Sequence, residues 1–385
     1  MVIWAYVAFG LVLAIGLVTI FLRGDWQKAR GLGRLILLGP VFYAAPLAAF
    51  GTEHFTVAKG VASLIPSWIP WHAFWAYFVG VCFIAAALSL VTGVQARLAA
   101  ALLGVTFFLF VVLMDAPGWS RDPGNRFSAA LMLRQLAFSG GALALAASLT
   151  AGRRERGTHI LATIARYFIA IPVLFYGLEQ FRHGNYVPCI PLDRLTPEWV
   201  PGHAIWTYLA AAVSLVAGAL LLIGRKTRAA ATWLGLTVLF IVLVVYAPMA
   251  VADRASLIGI NYMADTLMFC GAVLLLAGAM PREVAGADVH ERRLERQELV
   301  SPAPGCQGPN HPREARRGGQ QRSGSPSERR KDRARAFHGD PKRGAMAVGK
   351  QGSARGCQAG HRGCEGGTAD QDVLQEVARR IDERG

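Results

Sequence analysis

Two glutamates and two histidines stand at matching places in this sequence, each set among the same aromatic residues and prolines. Pro46, Gly51, Glu53 and Phe55 recur as Pro172, Gly177, Glu179 and Phe181, 126 positions later. Trp68, Pro70, His72, Ala73, Trp75 and Tyr77 recur as Trp199, Pro201, His203, Ala204, Trp206 and Tyr208, 131 positions later. The pattern is P-x-x-x-[FY]-G-x-E-x-F, then W-[IV]-P-x-H-A-x-W-x-Y. A carboxylate and an imidazole brought together can pass protons, because histidine titrates near neutrality. Tryptophan and tyrosine can stack on a flat ring such as a quinone. A plainer account stands beside this one: Trp and Tyr gather at membrane interfaces, proline opens helices, and glycine near a helix end serves the backbone. An ionisable group in or near a membrane is costly to keep, which favours a purpose for Glu53, His72, Glu179 and His203. His54 belongs to the first set alone, since its match is Gln180.

Two further charges fall inside apolar runs. Arg134 and Asp265 are also 131 positions apart, so the two halves carry opposite charges at one matching position. An ion pair between the halves is one expectation. Pairing of Arg134 with Asp115 or Glu53 is a second, and an Arg134 side chain snorkelling outward beside Asp122 and Arg126 is a third.

The elements that hold these residues follow from hydropathy. The chain has 385 residues, 53% apolar and 17% charged, with a net charge of +15. A bilayer core of ~30 Å needs about 20 apolar residues of helix. Nine stretches approach that length: Val2 to Leu22, Leu35 to Phe50, Phe74 to Thr92, Leu98 to Met114, Phe127 to Thr150, Ile160 to Leu178, Ala204 to Ile223, Ala229 to Ala247 and Asn261 to Met280. The first lacks the basic flank and small-residue cleavage site of a secretory signal, so it reads as a retained span. The fold class is all-α, a polytopic transmembrane helix bundle. Its parts are an N-terminal helix and basic loop (1–34), a first four-helix repeat (35–157), a second (158–281) and a basic, disordered cytoplasmic tail (282–385). Four spans per repeat is an even number, so both copies enter the membrane the same way and both polar motifs lie on one side.

Arg23, Lys28, Arg30, Arg34, Arg97, Arg153, Arg154, Arg156, Arg225, Lys226 and Arg228 fall in alternate loops. By the positive-inside rule those loops are cytoplasmic, which places the N-terminus and the motifs outside and the tail inside the cell (inner) membrane. The basic excess is divided between the apolar region and the tail, so no single nucleic-acid-binding surface is implied. The six cysteines form no C-x-x-C and no zinc pattern. Cys82 and Cys270 lie in apolar runs, where cysteine acts as a small hydrophobe. The tail, rich in Arg, Gly, Ser and Pro, cannot bury enough surface to fold. Its Asp370–Arg384 segment has the spacing of a short amphipathic helix, and its composition is equally that of a reading frame extended past its proper end.

F-G-T-E-H-F at 50–55, W-I-P-W-H-A-F-W-A-Y-F-V-G at 68–80 and the A-A-A-L-S-L-V-T-G that follows resemble the DoxX/DoxD-like membrane family. The resemblance covers about residues 35–280 as a tandem duplication. It implies compact four-helix membrane bundles, some of them linked to thiosulfate:quinone oxidation or to membrane oxidoreductase complexes that handle thiols. No cofactor is identified in the sequence itself, and a quinone is the one the resemblance implies. The spans hold no paired cysteines and no flavin or haem signature, so electron transfer would need a partner oxidoreductase subunit. The expected function is an accessory or quinone-interacting subunit of such a system. The alternatives are a membrane carrier for a small hydrophobic or lipid-like molecule and a structural scaffold.

Overall fold

In lipid, an apolar run must satisfy its own backbone N–H and C=O groups, which leaves the helix as its form. The computed structural model describes residues 2–150, 156–189, 195–200 and 202–281. Among these, nine helices are long and apolar enough to cross a membrane: α1 (Ile3–Leu22), α2 (Gly33–Thr56), α3 (His72–Thr92), α4 (Ala96–Arg121), α5 (Arg126–Ser148), α6 (Gly157–Arg182), α7 (Ala204–Ile223), α8 (Thr227–Ala252) and α9 (Leu257–Ala279). The protein is an all-α, multi-span membrane protein. The tail from residue 282, with its expected amphipathic segment, lies outside the described residues.

The spans outrun the apolar cores read from the sequence. The apolar stretches end at Met114 and Ala247, yet α4 and α8 continue through Ala116-Pro117 and Ala247-Pro248. Each proline is preceded by a five-residue π-helical turn, Val111–Asp115 and Val242–Tyr246. Proline lacks an N–H and clashes with the carbonyl four residues back, and the wider turn accommodates both defects. The consequence is positional: Asp115 and Tyr246 lie within helices rather than in connectors.

α9 is the most buried span and sits at the seam of the bundle. It packs on α8, on α2 and on α5; α2 also meets α1 and α3, while α5 meets α4 and α6, and α6 pairs with α7. The first four-span segment therefore leans on the last helix of the second. Small residues make the approach close, as in other membrane helix pairs. A Cβ on Gly271 would stand 2.5 Å from Tyr43 N, and one on Gly141 would stand 2.5 Å from Ala272 Cα. Buried tyrosines cross-link the layers: Tyr43 donates to Phe138 O at 2.8 Å and Tyr176 to Ala130 O at 2.8 Å.

Gly51 and Gly177 had been given a helix-end role. Both instead sit within spans, where a Cβ would strike Ile84 Cγ1 or Leu215 Cγ at 2.8 Å. Their job is the crossing of α2 on α3 and of α6 on α7. At the opposite, basic end, Arg166 donates to the carbonyls of Leu221 and Leu222, and Arg228 to those of Ala277 and Met280. These guanidinium groups satisfy last-turn carbonyls that the helix leaves open.

Candidate functional site

The motif end of the bundle carries the connectors 57–71 and 183–202, and the buried polar groups lie just beneath it. α5 and α9 face each other there, and Arg134 Nη1 donates to Asp265 Oδ2. The pair joins the two halves at the matching position 131 residues apart. Asn261, one turn before Asp265, offers its side-chain amide to the Glu53 carboxylate of α2. Asp115, in the π turn of α4, and Tyr176 of α6 lie within electrostatic reach of Arg134. Three carboxylates and one arginine from four spans thus share a region from which lipid and bulk water are largely excluded.

Several polar atoms in these helices lack a partner among the described residues. Glu53 Oε1, Asp115 Oδ2, Gln135 Oε1 and Asn261 Oδ1 are buried acceptors without a donor, and Trp119 Nε1 and Arg134 Nε are buried donors without an acceptor. An unmet buried group costs about 1–3 kcal/mol, so these six on α2, α4, α5 and α9 call for an occupant or for bound water; Glu179 Oε2, Gln180 Oε1 and Nε2, and Thr196 Oγ1 are unmet elsewhere among the described residues. Acceptors outnumber donors. The complementary occupant is therefore rich in O–H or N–H.

Glu179, the match of Glu53, has different surroundings. Arg182 Nη1 is 3.4 Å from its Oε1, while Arg126 Nε at 3.9 Å and His183 Nδ1 at 3.2 Å face its Oε2. The two contacts on Oε2 have charge-pairing distance but not hydrogen-bond geometry. Arg126 also stacks on Tyr186, 4.3 Å from the ring centre. Among the described residues no cation comes within ion-pair distance of Glu53. One motif glutamate has two arginines and a histidine beside it, and the other has no cation at that distance among the described residues.

His54 and His72 make their contacts outside this cluster. His72 Nε2 lies 3.2 Å from Pro66 O and ties down the connector, and His54 Nδ1 lies 2.7 Å from Phe50 O in its own helix. The helical ladder of α7 begins at His203, whose side chain lies outside the described residues. The aromatic residues mostly face outward. Trp68, Trp75, Tyr77, Trp199 and Tyr208 are exposed on the bundle surface, where an aromatic belt at the lipid interface would be. Tyr77 packs on Phe55 and Tyr208 on Phe181, both at 5.8 Å between ring centres, and Trp206 turns inward to Phe240 at 5.6 Å. The sequence did not single out Asn261, Gln135 or Trp119, which match Ala130, Thr266 and Ala250 in the other half, while Tyr176 fills the [FY] place of the motif that Phe50 fills in the first copy.

Comparison with known families matches α6, α7 and most of α8 to one of them. Residues 161–247 match the DoxX family. No curated protein and no solved structure matches the chain.

Within the DoxX domain the connector after α6 does not stay at the surface. Val187 and Cys189 are buried in the main core, and Pro188 O accepts from Tyr246 Oη at 2.7 Å. Tyr246 occupies the place that Asp115 holds 131 residues earlier. The DoxX domain therefore fills its own π-turn region with a connector. The earlier connector instead forms the short, half-buried helix Ala58–Ser63, with no residue fully buried. Burial also pushes the Cys189 thiol well above its ordinary range, so little of it is the reactive thiolate. A water-soluble maleimide is expected to modify Cys189 at least about a hundredfold more slowly than a free thiol at neutral pH. Tyr246→Phe leaves the Pro188 carbonyl unmet and should speed that labelling by about fivefold or more, read by peptide mass mapping.

Proposed function

We propose that this DoxX-domain protein is a quinol-interacting accessory subunit of a membrane oxidoreductase system. In this reading residues 35–157 are a first copy of the DoxX-type unit and 158–281 a second. The second copy is closed by its own connector. The first is the working site, with Glu53, Asp115, Asn261 and Asp265 around Arg134. The observation that carries the proposal is the surplus of buried acceptors over donors in that cluster. A quinol brings two hydroxyl donors on a flat, lipid-soluble ring, and its apolar tail needs no polar partner. Electrons pass to a partner oxidoreductase, since the roles available to these side chains are hydrogen bonding and proton acceptance. The alternation of basic loops sets the motif end outside the cell (inner) membrane and the chain's tail inside.

Binding of decylubiquinol and of decylubiquinone to the full chain in lipid nanodiscs tests this. The reduced form, which donates two hydrogen bonds where the oxidised form donates none, should bind at least about tenfold tighter. Equal affinities would leave a carrier of lipophiles as the better account, and no binding of either would leave the scaffold.

A further inference from the structure

The end of the bundle opposite the motifs holds a second feature. A half-open cleft of about 430 Å³ lies between α1, α2, α3, α4 and α5, with Arg23, Gln95 and Arg97 at its polar edge and Pro40, Leu145 and Leu149 among its other walls. No carboxylate lines it.

The matching region of the second half is closed by its own arginines, and the comparison shows why this one is open. Arg228 matches Arg97 at the 131 offset, and its guanidinium is spent on Ala277 O at 2.9 Å and Met280 O at 3.3 Å. Arg97 has no hydrogen-bond or ion-pair partner among the described residues, although Leu149 stands where Met280 does. Arg166 matches Pro40 at the 126 offset and reaches across to Leu221 O and Leu222 O. Pro40 has no side chain that reaches so far, and Arg23 stands there instead, its guanidinium beside Gly93 as that of Arg166 is beside the matching Gly224. Arg23 takes over part of that capping by donating to Thr92 O through Nη2, which leaves its remaining N–H groups for other acceptors.

We propose that this cleft binds the phosphate of an anionic glycerophospholipid. Two guanidinium groups supply the forked donors that a phosphate oxygen pair accepts. Leu145 and Leu149 continue the apolar wall along which acyl chains leave for the bilayer. The basic end is the one that the Lys/Arg distribution assigns to the cytoplasmic leaflet, where anionic lipids reside. The lipid serves as a wedge that closes the first half as Arg166 and Arg228 close the second.

Native mass spectrometry of the full-length protein with phosphatidylglycerol and phosphatidylcholine tests the assignment. The wild type should retain phosphatidylglycerol preferentially, and Arg97→Gln should weaken it by about fivefold. Arg225→Gln removes an exposed charge from the matching loop of the second half and should change it little. Pro40→Arg places a side chain where Arg166 reaches in the other half and should displace the lipid even where Arg97→Gln fails to fold. Equal weakening by Arg97→Gln and Arg225→Gln would mean general surface charge and overturn the site. Competition by sn-glycerol 3-phosphate as strong as that of the lipid would assign the cleft to free phosphate and overturn the lipid.

Discussion

Arg134→Ala should destabilise the protein by about 3–5 kcal/mol, the cost of leaving buried charge without its counter-ion. Hydrogen bonds between membrane helices contribute only about 1–2 kcal/mol, so loss of the bond itself does not set this figure. What sets it is the company Arg134 keeps. It is paired with Asp265 and lies within electrostatic reach of Asp115, and without it both aspartates lose their cation in a region poor in water, with Glu53 within reach of Asp265. Asp265→Ala should cost less, because Asp115 remains within reach of the guanidinium. Exchanging the two charges, Arg134→Asp with Asp265→Arg, returns a cation to the same interface and should recover at least about half of the loss. The measurement is the midpoint of detergent-induced unfolding for the two single variants and the exchange. Single changes that each cost under about 1 kcal/mol would show a solvated surface pair instead.

The legibility of this chain divides along the same physical line as its repeats. Spans were readable because hydropathy is summed over about 20 residues, and an error at either end hardly moves the sum. The ends were not, and Asp115 shows the consequence: the apolar stretch ends at Met114, whereas a π turn let α4 continue and carried the aspartate inside. The positions of Glu53, Glu179, Arg134 and Asp265 could be read because they match between halves. Their company could not. Asn261, Gln135 and Trp119 have no counterpart of the same type, and Asn261 meets Glu53 only because α9 leans on α2. That packing depends on Gly141 and Gly271, and a glycine in an apolar run carries no sign of which helix it will meet. Recurrence marked His72, and its contact with the backbone carbonyl of Pro66 in the connector is one that residue spacing alone does not encode.

Glu53→Gln and Glu179→Gln remove the same charge from matching positions and should have opposite consequences. Glu53 has an unmet acceptor and Asn261 as its neighbour, and no cation depends on it. Glutamine there keeps the volume and one acceptor but places an N–H where the quinol hydroxyl must point. Quinol affinity should fall by about tenfold to a hundredfold while stability holds or rises slightly. Glu179 is the anion shared by Arg126, Arg182 and His183. Arg182 and His183 are substantially exposed, so solvent screens much of their attraction, and Glu179→Gln should cost about 1 kcal/mol of stability and leave quinol binding unchanged. Binding and unfolding measured on both variants separate a working site from a structural one. Equal effects of the two changes on quinol affinity would return both glutamates to one shared role and remove the distinction between an open first half and a closed DoxX domain.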